Sequence, residues 1–198
     1  LAQHKKIGII TKQTADAGAS SWAQGGIAAA LSTDDSPSKH VQDTLVAGAG
    51  LCDEKITRYV AENAANAIHW LIEQGVIFTG DERNETGYHL TKEGGHSMRR
   101  IIHSGDATGK AVQKALIQKI RTHPNISVLE HHIAIDLITS EKLPAYADTQ
   151  HKRCFGAYVL DKKNDRVLTF TAQNTVLATG GASKVYLYTT NPDTATGD

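Results

Sequence analysis

The stretch that decides the fold assignment reads Ser20-Ser21-Trp22-Ala23-Gln24-Gly25-Gly26-Ile27-Ala28-Ala29. It follows the apolar segment Ile7-Gly8-Ile9-Ile10, which predicts a buried strand ending at Thr11 and Lys12. Small hydroxyl residues, an amide and a glycine pair leave the backbone open over several positions. Such a backbone can approach a large flat cofactor and direct N–H groups at its phosphates or ring edge. The stretch therefore predicts a cofactor-binding loop after the first strand.

The composition is that of a globular domain. The chain has 198 residues, enough for one core or at most two small ones, and its formal net charge is zero. A net charge of zero does not indicate nucleic acid or an anionic membrane as a binding partner. No apolar run approaches the ~20 residues of a membrane helix. Cys52 and Cys154 stand far apart and in no metal-ligand spacing, which favours two free thiols in a reducing cytoplasm.

Both ends of the chain predict a piece of a longer protein. The first residue, Leu1, stands almost directly before a strand, and Thr196-Gly197-Asp198 stops within a turn. A dinucleotide fold should open with a strand and G-x-G-x-x-G, and no such motif precedes Ile7. We therefore expect residues 1–198 to form a partial dinucleotide-binding domain that lacks its first βα unit and a downstream substrate or capping domain.

Apolar periodicity predicts helices alternating with strands. One helix is expected from about Lys39 to Ala47. A second is expected after Asp53 as N-cap, and a third after Gly105–Gly109, capped by Asp106 or Thr108. The apolar face of the second helix comprises Ile56, Val60, Ala64, Ala67, Ile68, Leu71 and Ile72, with Gly75 as its stop.

Strands are predicted at both ends of the chain and between the helices. Those after the first are expected at 76–78, 126–129, 133–139, 154–160, 167–171 and 174–178. The order predicts an α/β fold, a Rossmann-type parallel sheet interrupted by an antiparallel β-meander.

Two later segments complete a family pattern. They read Glu93-Gly94-Gly95-His96-Ser97 and Val176-Leu177-Ala178-Thr179-Gly180-Gly181-Ala182. Together with the first stretch, their order resembles the FAD domain of the succinate dehydrogenase, fumarate reductase and L-aspartate oxidase flavoprotein family. The resemblance covers essentially all 198 residues, and the amino acids around these segments are most similar to those of the L-aspartate oxidase branch.

The resemblance implies a set of FAD contacts. It comprises Lys12, the loop Ala19, Ser20, Ser21, Trp22, Ala23, Gln24, Gly25 and Gly26, backbone groups of Ile133 and Ala134, and Asp198. Chemistry alone favours the alternative for Lys12, a solvated lysine at the end of a strand. Ala19 stands where covalently flavinylated relatives carry a histidine, so the resemblance implies non-covalent FAD.

Glu93 is the candidate catalytic residue of this chain. Its carboxylate lies in a glycine-flanked turn before His96, Arg99 and Arg100, and could accept hydrogen bonds from a cationic amine. The alternative is a surface ion pair with Lys92 or Arg99. The resemblance implies that Glu93 orients the amino group of a substrate aspartate.

Three histidines recur every seven residues, at His89, His96 and His103. Intervening glycines argue against a helix, and no Asp, Glu or Cys stands at ligand spacing, so we predict no metal site. The histidines are expected to line a polar substrate cleft or to contact its edges.

By resemblance, the parent protein oxidises L-aspartate to iminoaspartate with dioxygen or fumarate as acceptor. This is the first step towards quinolinate and NAD, with quinolinate synthase as candidate pathway partner. One alternative is a fumarate reductase or succinate dehydrogenase flavoprotein subunit. Another is a non-catalytic nucleotide-binding or interaction fragment. The isolated piece is expected to be inactive.

Overall fold

The computed structural model describes residues 1–146 and 151–197, and the chain divides into two compact units. The first unit comprises Leu1–Ala19 and Ile120–Asp198, and the second comprises Ser20–Lys119. Among the described residues, no helix has the length and apolar character needed to cross a membrane.

The strands are β1 (Ile7–Thr11), β2 (Ile27–Ala28), β3 (Leu90–Thr91), β4 (Ile101–Ile102), β5 (Ile126–Glu130), β6 (His132–Thr139), β7 (Cys154–Asp161) and β8 (Arg166–Thr171). The α-helices are α1 (Pro37–Gly48), α2 (Glu54–Glu73) and α3 (Thr108–Thr122). Short 3-10 helices cover Ala19–Trp22, Ser140–Lys142, Pro144–Tyr146 and Ser183–Val185.

The first unit contains a parallel strand pair and an antiparallel sheet. Strand β1 pairs in parallel with β5, from Ile7 opposite Ile126 to Thr11 opposite Glu130. Strands β6, β7 and β8 form an antiparallel sheet in that order, with Val159 of β7 fully buried. Both the parallel pairing and the β-meander confirm the predicted α/β layout.

The second unit is built on a small antiparallel sheet. Strand β4 lies between β2 and β3, and Leu90 of β3 stands opposite Ile102 of β4. The buried core contains Ala29, Ile68, Val76, Phe78, Leu90 and Ile102. The chain between β3 and β4 carries the Glu93–Ser97 turn, so this hairpin presents the candidate catalytic carboxylate.

Side-chain caps define the helix starts of the second unit. Ser36 accepts a hydrogen bond from the Lys39 amide at the start of α1, and Asp53 accepts one from the Ile56 amide at the start of α2. Capping of this kind satisfies amides that lack an intrahelical partner. The predicted Asp53 cap is confirmed. At α3, by contrast, the Thr108 hydroxyl accepts from the upstream Ser104 amide.

Two predicted strands were wrong. Residues 76–78 are not a strand, although Val76 and Phe78 are buried and Ile77 is 81% exposed. The alternation arises from packing against the core, since no described strand pairs with the segment. Residues 174–178 are likewise irregular, and Val176 is 80% exposed. A strand requires a hydrogen-bonding neighbour, which the described residues do not supply there.

The predicted inner face of α2 was also partly wrong. Ile68 packs in the core, but Ile56 and Val60 are 58% and 59% exposed. Helical periodicity identifies a continuous stripe, whereas only its C-terminal part faces the small sheet.

Candidate active site

The Glu93 carboxylate is exposed at the tip of the β3–β4 hairpin. The turn is closed by a hydrogen bond of 3.2 Å from the His96 amide to the Glu93 carbonyl. Within the described part of the chain, no hydrogen bond or ion pair involves the Glu93 carboxylate, and Arg99 instead donates to the Leu90 carbonyl. The alternative of a surface ion pair is therefore absent there, and the carboxylate remains open to a ligand cation.

A buried charge cluster lies beneath this turn. Arg100 is fully buried, and its guanidinium donates to both oxygens of Asp35 at 2.8 and 2.9 Å and to Asp43 at 2.6 Å. Asp43 also accepts hydrogen bonds of 2.8 Å from the amide and the hydroxyl of Ser97. We call Asp35, Asp43, Ser97 and Arg100 the anchor cluster.

Hydrogen bonding determines the charge state of the anchor cluster. Burial alone would raise the pKa of Asp43, but hydrogen bonds from Ser97 and Arg100 lower it to about 2. Burial alone would likewise lower the pKa of Arg100, and its two carboxylate partners raise it. The Asp43 carboxylate and the Arg100 guanidinium are therefore both charged at neutral pH.

The histidines form contacts of two kinds. His89 and His103 flank the base of the β3–β4 hairpin, and His89 Nδ1 lies 2.8 Å from His103 Nε2, at hydrogen-bonding distance. His96 Nδ1 lies 3.3 Å from the Arg100 guanidinium, and the His96 ring makes a tilted contact with the ring of His40. Burial, and then the charge of Arg100, lowers the pKa of His40. In the described ranges, no group of three or more His, Cys, Asp or Glu side chains could hold a metal ion.

The predicted cofactor loop is open to solvent in the second unit. Ala23, Gln24 and Gly25 are exposed, and nothing lies within 4 Å of the position that a Gly25 side chain would occupy. Trp22 is 69% exposed, so it is not a core residue.

The first helical turn of α3 holds this loop in place. The Gly109 amide donates to the Ala23 carbonyl at 3.0 Å, and the Ser21 hydroxyl bonds to Gln113. A Cβ at Gly109 would overlap the Ser20 carbonyl. Glycine is thus required here for close approach between helix and loop.

In the first unit, Lys12 lies at the C-terminal turn. Its ammonium donates to the Thr194 carbonyl at 2.8 Å and to the Thr196 hydroxyl at 2.7 Å. The structure therefore brings Lys12 together with the turn that leads to Asp198, which itself lies outside the described residues.

Ile133 and Ala134 lie in the first unit on β6, an edge strand of the antiparallel sheet. They stand opposite Leu160 and Val159 of β7. An edge strand directs alternate backbone groups away from its partner, so some can meet a ligand. That Lys12, Ile133, Ala134 and the Ala19–Gly26 loop contact FAD stays a prediction.

Comparison with known proteins assigns the family. The family model for the FAD binding domain matches residues 1–198, the whole chain. The chain belongs to the FAD binding domain family. The cofactor of this domain is FAD.

Curated relatives of this FAD binding domain are similar over its whole length. L-aspartate oxidase 1 of Ralstonia nicotianae is 61% identical over 198 residues, covering 100% of this chain and 36% of the relative. L-aspartate oxidase of Pseudomonas aeruginosa is 52% identical over 203 residues, covering 100% of this chain and 37% of that relative. The chain thus spans little more than a third of the curated relatives it matches.

Solved structures share the fold of the FAD binding domain. A quinol fumarate reductase of E. coli superposes with a TM-score of 0.85 at 24% identity, covering 98% of this chain and 31% of the other. A quinol-fumarate reductase solved with menaquinol has a TM-score of 0.85 at 26% identity, covering 97% and 31% of the two chains. These likenesses support the α/β flavoprotein fold.

The described residues are compatible with FAD. The Ser20–Gly26 loop exposes an amide side chain at Gln24 and free space beside Gly25, as a cradle for a flat, phosphate-bearing group requires. Ala19 carries no nucleophile for a covalent link. The chemistry of the loop therefore fits a non-covalently held dinucleotide.

Sequence reasoning missed Asp35, Asp43 and the packing role of Gly109. Asp43 lies within the helix predicted from about Lys39 to Ala47, and no local pattern marks it or Asp35 as buried. A buried arginine requires paired carboxylates, so Asp35 and Asp43 could have been sought only once the burial of Arg100 was known. The sequence could not indicate that Arg100, rather than Arg99, is the buried one.

Proposed function

We propose that the protein containing this FAD binding domain is an FAD-dependent L-aspartate oxidase, which converts L-aspartate to iminoaspartate. The observation that carries the proposal is the 61% identity over the whole chain to an L-aspartate oxidase. In the same proposal, residues 1–198 are part of the FAD-binding domain, dioxygen or fumarate is the acceptor, and the reaction opens the route to quinolinate and NAD. Quinolinate synthase is the candidate pathway partner, and the two thiols suggest the cytoplasm.

Glu93 is the residue of this chain that we assign to the substrate. Bound FAD supplies the oxidising ring. The exposed carboxylate accepts hydrogen bonds from the substrate ammonium, and the pairing is charge-assisted. Because the described residues provide no competing cation for Glu93, its charge is available to the ligand. An amine is the group by which aspartate differs from succinate, so this contact confers selectivity for the amino acid.

The cofactor contacts proposed are those predicted from the sequence. Exposed groups of Ser20–Gly26 approach the phosphates and ring, and Lys12 with the Thr194–Gly197 turn forms a second contact region. Backbone groups of Ile133 and Ala134 reach the adenine. FAD is held without a covalent bond.

Turnover by the full-length protein tests the proposal. We expect oxidation of L-aspartate with release of iminoaspartate, measured as hydrogen peroxide in air and as succinate when fumarate replaces dioxygen. Succinate as electron donor should be a poor substrate. A protein that oxidises succinate but not aspartate would instead be a succinate dehydrogenase or fumarate reductase flavoprotein. If residues 1–198 bind no flavin, this chain would instead be a non-catalytic nucleotide-binding or interaction fragment.

A further inference from the structure

We propose that Asp43 of α1 is a positioning residue that holds the Glu93–Ser97 turn in the geometry needed to receive the substrate ammonium. The inference rests on the proposed function, because it assumes that Glu93 binds that ammonium. It concerns a residue remote from the hairpin in sequence, and it assigns the anchor cluster a role in substrate affinity.

The contacts of Asp43 converge on one end of the turn. A single carboxylate oxygen, Oδ2, accepts from the Ser97 amide, the Ser97 hydroxyl and the Arg100 guanidinium. Ser97 closes the turn that Glu93 opens, and the His96 amide donates back to the Glu93 carbonyl. Fixing Ser97 therefore restricts the backbone that carries Glu93. These are the only side-chain hydrogen bonds to Ser97 among the described residues.

The charges of the anchor cluster also keep Glu93 available. Arg100 is the fully buried cation beneath the turn, and Asp35 and Asp43 together supply two negative charges for its one positive charge. A guanidinium satisfied by buried carboxylates has no remaining preference for a third carboxylate. Asp43 thus helps to satisfy Arg100, so that the buried cation beneath the turn is paired.

A control must distinguish the effect of Asp43 on the turn from a general weakening of helix α1. Ser36 is the N-cap of the same helix, and its hydroxyl contacts the Lys39 amide. No hydrogen bond of the Ser36 side chain reaches Ser97 or Arg100. Ser36→Ala therefore weakens α1 without releasing the turn, and provides the matched control.

The test is a double-mutant cycle between Asp43 and Glu93 in the full-length holoenzyme. Asp43→Ala should raise the KM for L-aspartate by about tenfold, the equivalent of one lost charge-assisted contact. In the Glu93→Gln background the same change should raise the KM by less than about twofold, because the group that Asp43 positions is already lost. Ser36→Ala should leave the KM unchanged.

Hydrogen exchange gives a readout independent of turnover. Amides of residues 94–98 should exchange faster in Asp43→Ala than in the wild type, and Ser36→Ala should leave them unchanged. If Asp43→Ala does not fold, Ser97→Ala removes one of the three hydrogen bonds and should change KM and exchange in the same direction by a smaller factor.

The outcomes separate the two claims. An equal KM increase in both backgrounds, or turn amides whose exchange is unaltered by the anchor substitutions, overturns the positioning role while leaving the aspartate oxidase proposal intact. A wild-type protein that does not oxidise L-aspartate overturns the proposed function, and this inference with it.

Discussion

At the scale of single residues, burial divides three neighbouring carboxylates into two kinds. Asp35 and Asp43 are tied to Arg100, and the pKa of Asp43 is lowered to about 2 by hydrogen bonds from Ser97 and Arg100 that outweigh its burial. The Glu93 side chain is exposed, and its carboxylate makes no hydrogen bond within the described ranges. The paired carboxylates therefore serve the fold, and the unpaired one can serve a ligand.

Glu93→Gln in the full-length protein should lower kcat/KM for L-aspartate about ten- to hundredfold. The substitution keeps the shape of the side chain but removes one charge-assisted hydrogen bond, worth roughly 1.5–3 kcal/mol. Fumarate reduction should fall less, because fumarate has no amine. Glu62→Gln, an exposed change on α2, is the control. Equal losses with both substrates would make Glu93 a structural residue.

Ala19 predicts how the flavin is held. Its methyl group cannot form a covalent bond to the ring, so acid precipitation of the full-length protein should leave all flavin in the supernatant. The measurement is the absorbance of the two fractions at about 450 nm, since released flavin retains its own chromophore. Flavin retained in the pellet would contradict non-covalent binding.

At the scale of elements, the cofactor loop depends on the helix beside it. The first turn of α3 binds the loop through the Gly109 amide. Further along the same helix, Val112 and Ala115 pack against the core of the second unit. The loop thus combines an exposed surface with a rigid support, the arrangement that a binding site requires.

Two glycine substitutions distinguish the support of the loop by α3 from contact between the loop and FAD. Gly109→Ala should lower both the thermal stability of the apoprotein and its FAD affinity, because the new methyl group overlaps the Ser20 carbonyl. Gly25→Ala meets open space, so it should leave apoprotein stability unchanged and lower FAD affinity alone. Flavin titration and thermal unfolding of both variants give the answer. Unchanged FAD affinity in Gly25→Ala would argue against contact at this position.

The β7–β8 hairpin should be a source of acid sensitivity. Hydrogen bonds from Asn164, then from the Lys163 amide and Arg166, lower the pKa of buried Asp161 from its ordinary value of 3.8 to about 2. A carboxylate whose folded pKa is lowered stabilises the fold above the unfolded pKa, and the contribution is lost as pH falls towards the folded pKa.

The Asp161→Asn variant should therefore have a lower free energy of unfolding than the wild type at pH 7. At pH 2 the two free energies of unfolding should be nearly equal. Urea unfolding at the two values measures the difference, and Asp165→Asn in the same turn is the control. A stability difference independent of pH would rule out the carboxylate charge as its cause.

At the scale of the whole molecule, apolar surface is concentrated near the C-terminal segment. The exposed residues there are Val176, Leu177, Val185, Tyr186, Leu187 and Tyr188, between 63% and 89% accessible. The parallel sheet of the first unit has only the two strands β1 and β5 among the described residues. Exposed strand edges and apolar patches of this kind promote association.

Produced alone, residues 1–198 should therefore self-associate, bind FAD weakly and show no turnover. Sizing chromatography together with flavin fluorescence during an FAD titration measures both properties, with the full-length protein as reference. A monomer that binds one equivalent of FAD tightly would show that the chain completes the cofactor site by itself, against the partial-domain prediction.

The sequence by itself determined the family pattern, the α/β class, the β-meander and the open Ser20–Gly26 loop. These follow from local signals, since glycine spacing and apolar alternation act over a few residues. Glu93 also stood out locally, as a carboxylate between glycines.

Only the tertiary structure decided which charges are buried together. Asp35 and Asp43 meet Arg100 from positions more than fifty residues away, at separations of 65 and 57. The tertiary structure likewise placed Gly109 against the cofactor loop and left residues 76–78 without a strand partner. Such contacts depend on how distant segments pack, and burial then determines which of several identical charged groups is paired and which stays open to a ligand.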